Sequence, residues 1–135
     1  LDFDATVDEH AQFQVAFPKS WNLGTITFQV FWTSTATDTD GVTWALQGLA
    51  VTDNVTIAGA YGTPVTVNDA NQSAAEELLV SPESVAVTIG GTPIDDDTCF
   101  FRIFRDVSDA NDTAAEDARL IGVKLFLTLD TGNDV

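Results

Sequence analysis

The amino-acid sequence predicts an all-β domain, an antiparallel β-sandwich whose simplest form is a jelly roll, with long acidic loops and at most two short helices. Apolar and polar residues alternate with period two along most of the chain, which is typical of half-buried strands. Clusters of Gly, Pro, Asn and Asp separate these runs. About eight or nine strands in 135 residues indicate two packed sheets rather than one.

The individual elements follow from the same alternation. In the clearest strand Ile26, Phe28 and Val30 share one face, and Pro18 ends the preceding strand because it lacks a backbone donor. Asp38-Thr39-Asp40-Gly41 has the turn chemistry to close a hairpin between the strands that carry Trp32 and Trp44. The predicted strands are 12–17, 25–33, 42–48, 55–60, 63–68, 78–80, 85–89, 99–105 and 120–129. The only helical candidates are 72–79 and 112–119, each about two turns long.

The length suits a single domain over residues 1–135. The chain contains no Met and opens on Leu1, before which an initiator Met is normally retained, so we expect it to be part of a longer polypeptide. The acidic residues 1–10 could serve as a connector to the remainder of that polypeptide.

Charge excludes several classes of partner. The chain carries 21 acids and 5 bases, a net charge of −16, and the acids are concentrated between the apolar runs. Such a surface repels phosphate backbones and anionic membranes, so we expect no nucleic-acid binding and no membrane insertion. No signal-peptide pattern or membrane-length apolar stretch is present in the sequence. The simplest interpretation is a surface that stays hydrated in a salty medium.

Catalytic chemistry has little support in the sequence. His10 is the only histidine and Cys99 the only cysteine, so a serine triad or a zinc centre would lack partners. No G-x-S-x-G sequence frames a serine. A glycosidase needs two carboxylates on strands that line a cleft, whereas here the acids fall in predicted loops. We therefore predict that the domain is not an enzyme.

Calcium is the best-supported cofactor. Hard oxygen ligands of the kind that Ca²⁺ prefers occur within seven residues, at Asp106, Asp109, Asn111 and Asp112. A second acidic run occupies 95–97. The spacing of an EF-hand loop is absent, and a solvated acidic loop has the same composition. The sequence thus leaves two alternatives, no cofactor or a bound Ca²⁺.

Aromatic and basic residues supply the other candidates. Trp32 and Trp44 alternate with polar residues and belong to the predicted core, whereas Trp21 and Tyr61 lie nearer to loops and could stack on sugars. With the loop acids Asp38 and Asp40, they form the predicted ligand-binding set.

The few bases predict structural ion pairs. Arg102, Arg105 and Arg119 lie in or beside the most apolar strands and are interpreted as clamps onto loop acids, within or between subunits. Because strand 99–105 is apolar on both faces, we expect it to be buried on both faces or to lie at a subunit contact. A homotrimer with 99–105 or 120–129 near the contact is the predicted assembly.

Several segments, in this order, carry a resemblance to a known family. They are Phe17-Pro18-Lys19-Ser20-Trp21-Asn22, Phe28 to Thr33, Val42 to Gln47, Tyr61-Gly62-Thr63, Phe101 to Asp106 and Asp117 to Lys124. Together they resemble an all-β domain of structural proteins from tailed bacteriophages, many of them marine. The resemblance implies a virion location, as a fibre tip, head fibre or capsid decoration, contact with other virion proteins and binding to a host-surface glycan. The alternative is a monomeric carbohydrate-binding module of a secreted bacterial protein.

Overall fold

The structure is a computed structural model that describes residues 1–130. These residues form two antiparallel sheets packed face to face, so the predicted all-β sandwich is confirmed. The nine strands are β1 (Asp2–Phe3), β2 (His10–Val15), β3 (Trp21–Thr33), β4 (Gly41–Val51), β5 (Val65–Ala70), β6 (Leu79–Val80), β7 (Ile89–Gly90), β8 (Thr98–Arg105) and β9 (Ala118–Leu129).

The strand order is that of a jelly roll. Sheet I has the order β1-β9-β3-β6, and sheet II has the order β2-β8-β4-β5, with β7 added in parallel to β4. Strands from the two ends of the chain pair in a nested series, β1 with β9, β2 with β8, β3 with β6 and β4 with β5. This nesting is what rolling up one long hairpin produces, and it places the first four strands alternately in sheet I and sheet II.

The core lies between the sheets and follows from the period-two pattern. Ile26, Phe28 and Val30 of β3 are fully buried against sheet II. Trp32 meets Trp44 edge to face with ring centroids 6.2 Å apart, which joins the two sheets through their largest side chains. The prediction that both tryptophans belong to the core is confirmed.

One predicted strand is replaced by a different element. Residues 55–60 form no strand and belong to a segment that we call the strap, residues 52–64, which crosses the outer face of sheet II. The strap is attached by a hydrogen bond from Gly62 N–H to the Gly48 carbonyl over 2.9 Å. Gly59 lies directly on Leu49, an outward-facing side chain that is consequently buried. Apolar and polar residues alternate in the strap because it packs on the pleated surface of sheet II, and this alternation predicted a strand.

The predicted hairpin at Asp38–Gly41 is wrong. β3 and β4 lie in different sheets, so the segment between them crosses from one sheet to the other. The turn chemistry is nevertheless used, since the Asp38 carboxylate accepts a hydrogen bond from the Asp40 backbone N–H over 2.9 Å. Turn residues indicate that the chain reverses and do not specify which strand it meets next.

Neither helical candidate forms a helix. In 72–79, Ser73 and Glu76 have φ values of 69° and 62°, which an α-helix cannot contain. Their N–H groups donate to the carbonyls of Asp38 and Ser34, so tertiary hydrogen bonds replace helical ones. Residues 112–119 run along the buried Arg105 instead, and the guanidinium donates hydrogen bonds to two carbonyls of this segment.

Residues 1–10 are part of the sandwich, contrary to the expectation of a connector. Phe3 is only 2% exposed and meets Trp44 edge to face at 5.2 Å. Its strand, β1, pairs with β9, and Leu1 exchanges two backbone hydrogen bonds with Leu120. The burial of Phe3 thus fixes the position of this segment on the sandwich. The acidic residues around Phe3 made the segment look like a solvated connector in the sequence.

Candidate functional site

The loops that carry most of the predicted site residues meet at one end of the sandwich, which we call the acidic end. It comprises the connections 4–9, 34–40, 71–78 and 106–117. Val107 N–H donates to the Asp8 carboxylate over 3.0 Å, and Gly41 N–H donates to the Thr113 hydroxyl over 2.9 Å. Asp38 and Asp40 are exposed at this end. Tyr61 and Trp21 lie elsewhere, so the predicted ligand-binding set does not form one site.

A buried ion pair organises the acidic end. Arg105 is fully buried and binds Asp112 with two nitrogens, the shortest distance being 2.7 Å from Nη2. The same guanidinium donates to the carbonyls of Ala114 and Glu116. Asp112 also accepts from Thr43 N–H over 3.0 Å. The predicted clamp at Arg105 is therefore present, and it holds residues 112–116 against sheet II.

The predicted Ca²⁺ ligands are engaged in other contacts. Asp112 faces Arg105, which opposes a cation there. Asp106 accepts from the Ser108 N–H and hydroxyl, and Asp109 accepts from the Asn111 N–H and side-chain amide. These hydrogen bonds lower the pKa of Asp109. Within residues 1–130 no three His, Cys, Asp or Glu side chains are grouped to hold a metal ion, so the geometry gives the calcium prediction no support.

The other two predicted clamps differ from each other. Arg119 lies between Glu76, at 3.0 Å, and Asp2, at 3.6 Å, and all three side chains are substantially exposed. Arg102 forms no ion pair within residues 1–130, so the predicted clamp is not found within the subunit. Its guanidinium lies 4.6 Å above the ring of Tyr61 instead. A cation–π contact satisfies a base on an apolar strand without requiring an acid there.

Trp21 is part of the core and cannot stack on a ligand. It is 4% exposed and packs on Phe17 with ring centroids 4.6 Å apart. Its position directly after Pro18 and Lys19 predicted a loop, but β3 already begins at Trp21. Among the predicted aromatic contacts, only Tyr61 is accessible from the surface.

Tyr61 belongs to a polar cluster on the outer face of sheet II. Gln12 donates to its hydroxyl, and Arg102 covers its ring. With its side-chain amide turned so that nitrogen and oxygen exchange places, Gln47 donates to the Gly62 carbonyl over 3.3 Å and accepts from Arg102 Nη1 over 3.2 Å. The cluster ties the strap to β2, β4 and β8 simultaneously, so the strap has a fixed position on the sheet.

A cleft of about 350 Å³ opens beside this cluster. The register pairs Gln12 with Arg102 and Gln14 with Phe100, which places all four on the outer face. Phe13 alternates with them and stacks on Phe101 on the inner side. The cleft lies between the β2 edge and the strap and is lined by Gln12, Phe13, Gln14, Ile57 and Phe100. The sequence analysis missed these residues, although the glutamines alternate with apolar residues along one strand.

The second notable surface is the free edge of sheet I. β1 pairs with only the first two residues of β9, and within residues 1–130 no other strand lies on that side of Ile121–Leu129. Along this stretch the inward side chains of Val123, Leu125 and Leu127 are only half-buried. A long apolar edge is unusual, because natural edges are normally short, charged or covered.

The hydrogen bonds on the side of β3 that faces away from β9 identify which backbone groups of β9 point toward the open edge. Ile26 exchanges hydrogen bonds with Val87, and Phe28 and Val30 bond to Ser84 and Ser81. These three residues therefore direct their N–H and C=O groups away from β9. Their partners in β9 are Leu127, Leu125 and Val123, whose N–H and C=O groups consequently face the open edge.

The flank between the two sheets is also open at this edge. A cavity of about 250 Å³ there is lined mainly by apolar residues of β2, β8 and β9, namely Leu1, Ala11, Gln12, Phe13, Ile103, Leu120, Gly122 and Val123. β2 is the corresponding edge of sheet II. The two edges therefore lie on the same side of the molecule, with this apolar cavity between them.

The side chains with intrinsic reactivity are a single histidine on β2 and a single buried cysteine on β8. His10 is exposed and its ring lies 4.6 Å from that of Phe104. Cys99 is buried in β8, and burial, assisted by the charge of Asp97, raises the pKa of its thiol to about 11. A thiol with such a pKa is a poor nucleophile at neutral pH.

Comparison with known proteins yields no match: no protein-family model, curated protein or solved structure corresponds to the chain. Within residues 1–130 no helix has the length and apolarity needed to span a membrane.

Proposed function

We propose that the domain is a non-enzymatic structural module of a tailed-bacteriophage virion, at a fibre tip, in a head fibre or in a capsid decoration. In this proposal it assembles as a homotrimer, contacts other virion proteins and displays surfaces toward the host. The observation that carries the proposal is the open apolar edge of β9, because a long exposed edge offers unpaired backbone groups to which a strand of another chain can add.

The position of charge supports association through this side. β9 contains no acid between Ala118 and Leu129 and carries Arg119 and Lys124, whereas the rest of the chain is strongly acidic. Association through β9 would bring together a strand that carries two bases and no acid, where electrostatic repulsion between subunits is small. Strand 99–105, the other predicted contact, is now less suitable because β8 is paired on both sides by β2 and β4.

The non-enzymatic part of the proposal rests on the state of the reactive groups. The buried carboxylate Asp112 is neutralised by Arg105, the thiol of Cys99 is buried, and His10 has an aromatic neighbour rather than a nucleophile. The exposed acids lie in solvated loops. A virion module requires only many simultaneous contacts, so avidity across subunits replaces the affinity of a single site.

The oligomer is tested with two substitutions at one position. Leu125→Pro removes an N–H that faces the open edge and no hydrogen bond to β3, whereas Leu125→Ala shortens the same side chain and keeps the N–H. We expect light scattering to give a trimer mass for the parent and Leu125→Ala proteins and a monomer for Leu125→Pro. A parent protein that is monomeric at tens of micromolar would contradict the proposed assembly.

The virion location is tested by immunoelectron microscopy. An antiserum against the purified domain should label the tails or heads of bacteriophage particles from the source sample. Labelling restricted to bacterial cells or to secreted protein would contradict the proposal.

The second candidate is a carbohydrate-binding module of a secreted bacterial protein. The cleft on the outer face of sheet II favours it, because amides and an aromatic ring on a sheet face suit a sugar. A monomeric mass together with a catalytic domain elsewhere in the parent polypeptide would support this candidate over the virion module.

A further inference from the structure

We propose that the cleft bounded by Gln12, Gln14, Phe100 and the strap binds a neutral oligosaccharide. The inference deepens the proposed function, from which it takes only the premise that the module displays surfaces toward the host. It replaces the predicted set of Trp21, Tyr61, Asp38 and Asp40, which the fold distributes over separate parts of the molecule.

The lining has the chemistry that a sugar requires. Each glutamine offers an amide that both donates and accepts, which matches hydroxyl groups of either role. Phe100 forms the floor and Ile57, which is 68% exposed, forms the wall, so apolar C–H faces of a pyranose have surfaces to cover. At about 350 Å³ the cleft has room for one or two sugar rings.

The cleft is organised before a ligand arrives. Gln12 is fixed by its hydrogen bond to Tyr61, and Tyr61 is fixed by Arg102 above its ring. Gln47 holds Arg102 and also the strap carbonyl at Gly62. Side chains that are already ordered lose little entropy on binding, so a small contact area can still give measurable affinity.

Charge selects a neutral ligand. None of the five residues that line the cleft is ionised at neutral pH, and the guanidinium of Arg102 is covered by the Tyr61 ring instead of pointing into the cleft. The chain as a whole carries −16, which repels uronic-acid and sulfated polymers. Neutral hydroxyl-rich chains are the polymers that combine hydrogen-bonding groups with no electrostatic penalty.

The proposal is tested with a printed array of neutral and acidic glycans, probed with the domain displayed on streptavidin tetramers. The best neutral oligosaccharide is then titrated by calorimetry into the parent protein and its variants. We expect Phe100→Ala to weaken binding at least about tenfold through loss of the stacking surface. Gln14→Ala, at an exposed position, should weaken it about fivefold with an unchanged melting temperature.

The matched control is Phe126→Ala, which removes an aromatic ring from the outer face of the opposite sheet and should leave binding unchanged. Binding only to acidic glycans, binding that survives both cleft substitutions, or no binding on the array would each overturn the inference. Light scattering of the same samples reports the oligomer independently, so failure of the cleft and failure of the proposed assembly are distinguishable.

Discussion

At the scale of single residues, Arg105 and Asp112 make the most consequential contact outside the apolar core. Both side chains are essentially excluded from water, and the guanidinium has partners on all three nitrogens. The desolvation cost of such a pair is offset only while both charges and their hydrogen bonds are present. The loop 106–117 is therefore held mainly by one guanidinium, and Ala114 adds a small apolar contact with the core.

Substitution of one partner tests this dependence. Asp112→Asn preserves shape but leaves the Arg105 charge buried without a counter-charge, so the free energy of unfolding should fall by about 3–5 kcal/mol. Glu76→Gln, at the exposed pair with Arg119, should cost about 1 kcal/mol or less. Urea denaturation of the two variants and the parent measures both values. A loss below about 1 kcal/mol for Asp112→Asn would show that the pair does not hold the loop.

Cys99 gives a prediction about pH. Its folded pKa of about 11 exceeds the ordinary value of 9.0, so the folded state binds the proton more tightly. The thiol consequently stabilises the fold below pH 9, and this contribution disappears as the pH rises from about 9 to 11. Near pH 8 alkylation by iodoacetamide should be at least about a hundredfold slower in the folded protein than in urea. Equal rates would mean that β8 opens readily.

The three arginines illustrate what residue-level reasoning can and cannot predict. The bases on apolar strands correctly indicated a buried pair, since an uncompensated charge is too costly in a core. The partner of each base could not be derived, because it depends on which loop the topology brings near. Arg105 meets an acid seven residues away, whereas Arg102 meets Tyr61 from the strap.

At the scale of elements, the strap is held by close backbone approach. A Cβ added at Gly62 would lie 2.2 Å from the Thr88 carbonyl oxygen, whereas one added at Gly122 has no atom within 4 Å. These two glycines form a matched pair for substitution. One lies where the strap meets the sheet, and the other lies in the open edge strand.

Gly62→Ala should therefore displace the strap and lower the free energy of unfolding by about 1–3 kcal/mol through strain. Gly122→Ala should be neutral or slightly stabilising, since alanine restricts the unfolded chain. Thermal unfolding compares the two, and proteolysis within 52–64 should accelerate only in Gly62→Ala. Equal melting temperatures for both variants would contradict a tightly seated strap.

Elements with strong periodicity were predictable, and those fixed by tertiary hydrogen bonds were not. β3 follows from the alternation of apolar and polar residues, and β8 and β9 follow from the high apolar content of their segments. Residues 72–79 have helix-forming composition, yet two positive φ values allow them to bond to the 34–40 connection. The cleft could not be predicted, because the strap that forms its wall reaches β2 only through the rolled topology.

At the scale of the whole molecule, net charge determines the response to salt. Self-repulsion at −16 is long-ranged at low ionic strength and is screened as the Debye length falls from about 30 Å at 0.01 M to about 3 Å at 1 M. The melting temperature should therefore rise with NaCl. Differential scanning calorimetry at several salt concentrations measures this, and a flat or falling trend would contradict it.

The same experiment with divalent ions tests the calcium prediction. General screening by Ca²⁺ and Mg²⁺ at equal concentration is alike, so a site at Asp106–Asp112 would appear as extra stabilisation by Ca²⁺ alone. The geometry around Asp112 leads us to expect identical curves. A Ca²⁺-specific rise that Asp109→Asn abolishes would reveal a site formed by rearrangement of the loop.

The nested pairing of strands has a consequence for biosynthesis. Leu1 bonds to Leu120, 119 residues later, so sheet I cannot close at its β1 edge until nearly the whole domain has left the ribosome. Among the strands of residues 1–130, only β4 and β5 are consecutive in the chain and paired with each other, so their ladder can form early. Contacts of such long sequence separation slow folding to the millisecond-to-second range. During that interval β3 lacks β9, and the edge of β3 that later pairs with β9 is exposed to chaperones and to neighbouring nascent chains.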